Sequence, residues 1–403
     1  MSPAAFRFAA LGAMVGLLAA CSQTASAAAN EPSVPAPLRA PPQRPGGGVA
    51  PGVTALNVPM ASAAKAPTLT VTRFKNEDYF AASEIAERLG FKTTWEESKR
   101  ELTMVAGSRK LVLTGEKREV ACNGLRIFLG DAVLYRGGKL YVNRTDYERC
   151  LLSLLRPEFI TSPVPKLRTI VLDPGHGGSD PGMENNALRV QEKVLALDVA
   201  LRLEKLLRAE GYSVVLTRRE DRQLAPTKEA DLQRRAIIAN AAGADLFLSI
   251  HFNSLFPDTR VSGSEVYVFT RPGQRSDTSW GFGQPDDSEN EIAPVNRHDP
   301  WTSILAHAVH RETINGLKTA DRGHKTKHLG VLRGLNCPGV LVESLFLSNA
   351  EEARRAATPA YRQQIAEALW SGIRSYAATL DTLRPKSSTA PATANRPAAS
   401  NSP

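Results

Sequence analysis

The sequence predicts an α/β protein: a mixed, mostly parallel twisted sheet with helices on both faces, preceded by a small α+β domain. Three observations predict it. From about residue 167 to 383, apolar β-forming runs alternate with amphipathic helical stretches. Between 68 and 160, short strands follow one another across turn residues, with a helix near either end. On both flanks the chain turns to Ala, Pro, Gly and Ser, which bury too little surface to offset their ordering entropy.

Residues 1–21 read as a signal peptide. Arg7 is followed by FAALGAMVGLLAA, 13 residues that match a signal-peptide core in length and are too short to span a bilayer. The run ends in Leu18-Ala19-Ala20-Cys21, which resembles the bacterial lipobox, whose cysteine is lipidated and becomes the mature N-terminus. Ala25-Ser26-Ala27 would suit an ordinary leader peptidase instead. Either reading exports the protein to the cell envelope, periplasm or cell surface, and a lipidated Cys21 adds a membrane anchor. Residues 22–67 are then a flexible tether and 384–403 a disordered tail. The formal charge of +9 invites a nucleic-acid reading, but residues 166–383 carry 27 basic and 27 acidic side chains. That balance leaves no footprint for a polyanion and excludes nucleic acid as partner. Beyond Cys21 remain Cys122, Cys150 and Cys337; an oxidising compartment would permit a Cys122–Cys150 disulfide, which sequence alone does not establish.

The small domain, 68–160, opens with LTVTRF as a strand and YFAASEIAERLGF as an amphipathic helix ended by Gly90. TTWEES, ELTMVA, KLVLT, RIFL and KLYVN follow as strands, and TDYERCLLSLL as a closing helix. This order resembles the stalk-like domain of the copper amine oxidase N-terminal type. No histidine precedes residue 176, so no copper site is expected here, and a spacer or wall-contacting module is.

The large domain, 167–383, begins with the strand LRTIVLDPG. The helix QEKVLALDVALRLEKLLRAEG comes next, with Val194, Leu197 and Leu201 read as its apolar stripe. YSVVLTR is a strand, DLQRRAIIANAAG a helix, and ADLFLSIHFN and SGSEVYVFT are strands. WTSILAHAVHRETINGL is a helix, PGVLVESLFLS a strand and PAYRQQIAEALWSGIRSYAATL the last helix. In such sheets ligands gather beyond the carboxyl ends of the strands.

The chemistry-bearing residues sit at those ends. The first strand delivers His176 from DPGHGG, the strand 246–252 delivers His251 with Asn253 just after it, and Glu343 lies in 340–346. Glu192 opens the long helix. Two imidazoles and a carboxylate make a zinc shell with an open position for water, and a spare carboxylate suits general base and acid work beside it. The glycines around His176 let a sharp turn aim a ligand into a cleft. A phosphate-cradling loop is the rival reading, but no Lys-Ser/Thr follows the glycines.

TIVLDPGHGGSDPG, the Glu192 position, DLQRRAIIANAAGADLFLSIHFNS and VLVESLFLSNAEE, in that order over about 168–380, resemble the zinc-dependent N-acetylmuramoyl-L-alanine amidases of cell-wall hydrolysis. The resemblance implies zinc (Zn2+) on His176, Glu192 and His251, Glu343 as the catalytic glutamate, and supporting roles for Asn253 and Arg235. It implies peptidoglycan as substrate, cut by zinc-activated water at the amide between N-acetylmuramic acid and L-alanine. The alternatives are another zinc-dependent cell-wall amide hydrolase, a peptidase or deacetylase, or a wall-binding scaffold. A scaffold with a degenerate site would lack a ligand, and none is missing.

Two departures stand out. PGQRSDTSWGFGQPDDSENEIAPVNRHDP lengthens the link after the strand 264–270, and Ser344-Leu345 follows Glu343 where a small residue is common. The 272–300 insert, acidic and poor in helix formers, is expected to form a flap or groove rim; an amidase held closed by it would need a protein activator. His307 and His310 are expected on a solvated helix face, His324 and His328 in a polar run lining a loop near the cleft or facing solvent, and His298 without a partner. Cys337 is expected to be a small buried apolar residue.

Overall fold

The computed structural model describes residues 65–277 and 291–384. All fall within Pro42–Pro403, one of the chain's two compact units. The signal peptide with Cys21, nearly all of the 22–67 tether, the middle of the 272–300 insert and the tail after Arg384 lie outside the described residues.

The first region contains β1 (Val71–Phe74), β2 (Glu77–Ala81), α1 (Ala82–Leu89), β3 (Lys92–Glu96), β4 (Glu101–Ala106), β5 (Arg109–Thr114), β6 (Glu119–Cys122), β7 (Leu125–Phe128), β8 (Leu134–Arg136) and β9 (Lys139–Asn143). Helices α2 (Arg144–Asp146) and α3 (Leu152–Leu155), joined by a π turn over Tyr147–Leu151, close it. Alternation decides the faces. Leu102, Met104, Leu111, Leu113, Val120 and Ile127 point into the core, while Thr103, Val112, Ala121 and Phe128 between them stay partly exposed. Buried Ile85, Ala86 and Leu89 bring α1 onto that core, and Gly90 caps it by donating to the carbonyls of Ala86 and Glu87.

The second region runs β10 (Thr169–Pro174), β11 (Glu184–Asn185), β12 (Val190–Gln191), α4 (Glu192–Ala209), β13 (Ser213–Leu216), α5 (Lys228–Ala241), β14 (Leu246–Asn253) and β15 (Ser264–Phe269). It continues with α6 (Asp299–Leu317), β16 (Asp321–Lys327), α7 (Gly330–Arg333), β17 (Gly339–Phe346), α8 (Ala350–Ala357) and α9 (Pro359–Leu383). Strands β13, β10, β14 and β17 pair in parallel. Then β15 pairs antiparallel to β17 and parallel to β16. The mixed, mostly parallel sheet is therefore present. Ile170, Leu172, Leu248 and Val340 pack on one side, and Val171, Phe247 and Leu341 on the other, so both faces are covered.

Two of the differences from the sequence reading concern the elements themselves. The stripe of α4 is not Val194, Leu197 and Leu201: Val194 is 52 % exposed, and Leu195, Val199, Leu203 and Leu207 are buried. Apolar residues surround this helix, so periodicity could not choose the face. The second is β16. Its sequence, DRGHKTK, reads as a polar loop, yet it forms a strand between β15 and β7. Through it both regions share one sheet, in the order β13-β10-β14-β17-β15-β16-β7-β6-β5-β4-β3. His324 sits opposite Ile127 at the seam, and Arg126 donates its backbone N–H to Asp321 Oδ2 at 2.9 Å.

The seam buries histidines. His307 and His310 on α6 and His324 on β16 are each 2 % exposed or less, because α6 is packed between the sheet, α3 and α9 and has no solvated face there. His310 Nε2 lies 2.7 Å from Asp321 Oδ1, whereas both ring nitrogens of His307 and of His324 lack a hydrogen-bond partner among the described residues. His298 is half-buried, and His328 stacks on Phe269. Cys122, Cys150 and Cys337 are buried free thiols.

Burial, with Arg311 and His310 nearby, pushes His307 down to about 3; burial with Arg271, His310 and His307 holds His324 well below its ordinary value. Unfolded histidine titrates near 6.5, so the stability from a neutral His307 is present above that pH and lost as pH falls toward 3. Below pH ~6.5 the loss is about 1.4 kcal/mol per pH unit for each such group. His307→Leu is expected to flatten the fall of the urea midpoint between pH 7 and 5; an unchanged slope would contradict this account.

Candidate active site

The end of β10 is fixed from beneath. Asp173 is completely buried and accepts from Arg235 Nη1 at 2.8 Å, Thr217 Oγ1 at 2.6 Å and Ser249 Oγ at 2.7 Å. Burial alone would raise its carboxyl, but Arg235 and the two hydroxyls outweigh that and hold it below the ordinary range. Arg235 also donates to Asp231 Oδ1 and to the carbonyls of Pro174 and His176, at 2.8 to 2.9 Å. Arg218, 1 % exposed, takes the carbonyls of Pro174, Gly175 and Lys193. Two buried guanidiniums thus hold the DPGHG turn by its backbone oxygens.

The turn leaves His176 in the left-handed region at φ 61°. Its Nε2 lies 3.1 Å from Glu192 Oε1, and its Nδ1 3.0 Å from Asp180 Oδ2. Glu192 begins α4, and the same Oε1 is 2.9 Å from His251 Nδ1 at the end of β14. The two rings meet edge-on with centroids 4.9 Å apart. Two glycines make this closeness possible. A Cβ at Gly175 would stand 2.2 Å from the His251 ring, and one at Gly182 would stand 2.5 Å from Glu192 Oε2. The sequence reading had the glycines serving a turn; at these two positions they also make room for ligands.

His176, Glu192 and His251 present ligand atoms that all lie within 4.8 Å of one another, the one such group among the described residues. Two imidazole nitrogens converging on one carboxylate oxygen are a donor set for a divalent transition metal with a position left open. The Glu192 carboxyl is itself held far below its ordinary value: burial opposes this, and hydrogen bonds from both histidines overcome it. It is therefore ionised, as a ligand must be.

Glu343 lies opposite His251 in the β14/β17 register and opposite Glu265 in the β15/β17 register. Its Oε2 is buried with no hydrogen-bond partner among the described residues. Burial raises its proton affinity well above the ordinary value, and the Glu192 and Glu265 carboxylates raise it further. A carboxyl with a free oxygen and elevated proton affinity, beside a metal-ligand group, is equipped to exchange protons. Asn253 does not touch the ligands: it donates to Glu265 Oε1, which also accepts from Tyr267 Oη at 2.9 Å. Lys325 Nζ lies 2.8 Å from Glu265 Oε2.

The structure thus brings His176, Glu192, His251 and Glu343 to one sheet edge and places Arg235 below them and Asn253 beside them. Sequence reasoning missed Asp173, Arg218 and Glu265. Asp173 carried a signal, since a carboxylate ending a run of buried apolar residues needs a partner. Arg218 and Glu265 carried none, because their partners come from distant strands.

The family model described as N-acetylmuramoyl-L-alanine amidase matches residues 170–375, and the copper amine oxidase N-terminal domain model matches 64–146. N-acetylmuramoyl-L-alanine amidase AmiC of Escherichia coli O6:H1 is 31% identical over 232 residues, 53% of this chain and 54% of that protein. AmiA of Salmonella typhimurium is 33% identical over 229 residues, 52% of this chain and 76% of its own length. The crystal structure of N-acetylmuramoyl-L-alanine amidase from Clostridium difficile 630 aligns at 29% identity and TM-score 0.42 over 53% of this chain and 98% of that one. The chain spans about half the length of the AmiC relative it matches.

Substitutions at two positions test this arrangement. Gly182→Ala is expected to weaken the affinity of this group for a divalent metal, measured with added zinc by competition with a chromophoric chelator, by roughly 10-fold or more while the fold is kept. Unchanged affinity would refute the close-approach argument. Arg235→Met, which strands a buried carboxylate, is expected to lower unfolding free energy by about 3–5 kcal/mol in urea. Arg235→Lys should not restore it, since one ammonium cannot reproduce the guanidinium fork.

Proposed function

The chain belongs to the N-acetylmuramoyl-L-alanine amidase family, and from that premise we propose that it hydrolyses the amide between N-acetylmuramic acid and L-alanine in peptidoglycan. The observation that carries the reading is the convergence of His176, Glu192 and His251 beside Glu343. The three would hold zinc, which when bound acts as a Lewis acid and lowers the pKa of water toward ~7.

The rest falls to the chain's own side chains. Glu192 is held in place by the backbone N–H groups of Phe252 and Met183, which donate to its two carboxylate oxygens at 3.1 and 2.9 Å, and the two imidazoles meet that carboxylate. Glu343 takes the proton of the attacking water on its carboxylate and returns it to the departing L-alanine amine. Burial and two neighbouring carboxylates give it the proton affinity that the return step needs. Glu265, tied to Asn253, Tyr267 and Lys325, has its carboxyl fixed in position beside Glu343. Asp173, Arg235 and Arg218 act at one remove, by fixing the turn that carries His176.

Export, a lipid anchor at Cys21 and delivery to the envelope belong to the same reading; the leader motif supports them, and the substrate requires an envelope location. No helix among the described residues is long and apolar enough to cross a membrane. The start of the insert is tied beside the site, with Asp277 3.5 Å from Lys325, which in turn lies 2.8 Å from Glu265. That position supports a role for 272–300 at the rim of the substrate groove.

Incubation of the protein with purified peptidoglycan, followed by mass spectrometry, tests the reaction. Stem peptides with a free L-alanine N-terminus are expected, lost on chelation and regained with zinc. Glu343→Ala should keep its zinc and lose roughly 10²–10⁴-fold in rate. A new amine on the sugar, or cleavage within the peptide, would move the chain to the deacetylase or peptidase alternative.

A further inference from the structure

The opening motif holds one more charged residue that the reaction has not used, Asp180 of DPGHGGSD. Its place follows from the turn before it. Gly177 and Asp180 exchange backbone hydrogen bonds, the N–H of each to the carbonyl of the other, at 3.0 and 3.2 Å. The reversal between them is pinned at Gly178. Lys193 Nζ donates to the Gly178 carbonyl at 2.7 Å, and Asp221 Oδ1 accepts the Gly178 N–H at 2.7 Å. The chain is thereby folded back on His176, and Asp180 Oδ2 stands 3.0 Å from His176 Nδ1. The other carboxylate oxygen accepts the Gly182 N–H at 3.2 Å, and Lys228 Nζ, at the start of α5, lies 3.8 Å from Oδ2.

The ring atoms decide what this contact is for. His176 turns Nε2 to Glu192 Oε1, at 3.1 Å, and His251 turns Nδ1 to the same oxygen, at 2.9 Å. Those two nitrogens and that oxygen are the atoms placed to bind one metal, so the nitrogen left over on His176 is Nδ1. A neutral imidazole carries one proton, and the nitrogen that binds a metal must be the bare one. The proton of His176 then belongs on Nδ1, which is enclosed in the protein. An enclosed N–H needs an acceptor, and the carboxylate facing it is Asp180. The pair stands at ion-pair distance without the alignment of a hydrogen bond, which a turn of the ring about its Cβ–Cγ bond would supply.

Resting on the amidase reading and its zinc, we propose that Asp180 is a positioning residue that accepts the Nδ1 proton of His176 and so leaves Nε2 bare for the metal. The contact also orients the ring and raises the basicity of the ligating nitrogen. The rival role is a local one, an Asx turn in which the side chain serves only the Gly182 N–H. Asparagine separates the two. Its carbonyl can hold Gly182 as the carboxylate does, but the group then facing Nδ1 is an NH2. That group is a donor, and it favours the opposite tautomer, with the proton on Nε2.

The test reads metal affinity on the full chain, stripped with a chelator and titrated with zinc against a chromophoric competitor. Asp180→Asn is expected to bind zinc roughly 10- to 100-fold more weakly than wild type, the usual cost of losing such a partner. Asp180→Ala should lose at least as much, and matching thermal melts of the metal-free chains would show the variants folded. Action through His176 has its own signature. In a chain already carrying His176→Ala, Asp180→Asn should change zinc affinity by less than about 2-fold, since the interaction it removes is gone. Wild-type affinity in Asp180→Asn assigns the residue to the turn alone and overturns the proposal, as does an equal loss with and without His176. Both results leave the amidase reading standing. A wild-type chain that binds no zinc, or whose affinity His176→Ala leaves intact, overturns the zinc reading as well.

Discussion

Everything at the site depends on one buried ion pair, Asp173 with Arg235. The carboxylate ends a strand of the central sheet and is completely enclosed, and the guanidinium that neutralises it is 2 % exposed. A carboxylate so placed is costly unless paired and hydrogen-bonded. Because the partner is a guanidinium, it has donors to spare, and these go to the carbonyls of Pro174 and His176. The pair that satisfies the strand end therefore also sets the left-handed turn at His176. Arg218 completes the arrangement from just beyond β13, and burial lowers it to about 10, still charged at neutral pH.

The second constraint is the shared sheet. A small β-rich domain before an enzyme domain is readily imagined as a spacer on a hinge, and here its β7 is hydrogen-bonded alongside β16. The seam is sealed by Arg126 on Asp321, by Gln274 on Asp146 and by the buried histidines of α6 and β16. The start of the long insert takes part, since Arg118 donates to the carbonyls of Arg275 and Ser276. The segment next to the site and the small domain are thus in contact. The outward face of β4 to β7, with Thr103, Val112, Ala121 and Phe128, continues the face that carries Glu343, Glu265 and Lys325.

Much of this was legible in the sequence. Of the four site residues, His176 and His251 lie at strand exits, Glu192 at a helix start and Glu343 within β17, and the strands involved, such as TIVLDP and LFLSIHFN, are apolar enough to be unmistakable. What escaped had physical reasons. β16 is a strand held by its neighbours rather than by apolar content, with His324 and Thr326 inward and Lys325 and Lys327 outward. His307 and His310 looked solvated because spacing on a helix does not say whether a second helix covers it. Glu265 became visible only when antiparallel pairing set it against Glu343, three strands' worth of topology that no local pattern encodes.

The central proposal is that His176 on its turn, Glu192 at the start of α4 and His251 on β14 together hold a zinc ion. The most direct measurement is an anomalous difference map, recorded at the zinc absorption edge from crystals of the protein grown with zinc. The account predicts one dominant peak bonded to all three side chains, at the ~2.0–2.2 Å expected for nitrogen and carboxylate oxygen ligands. A dominant peak among His307, His310 and His324, or none beside Glu192, would contradict it.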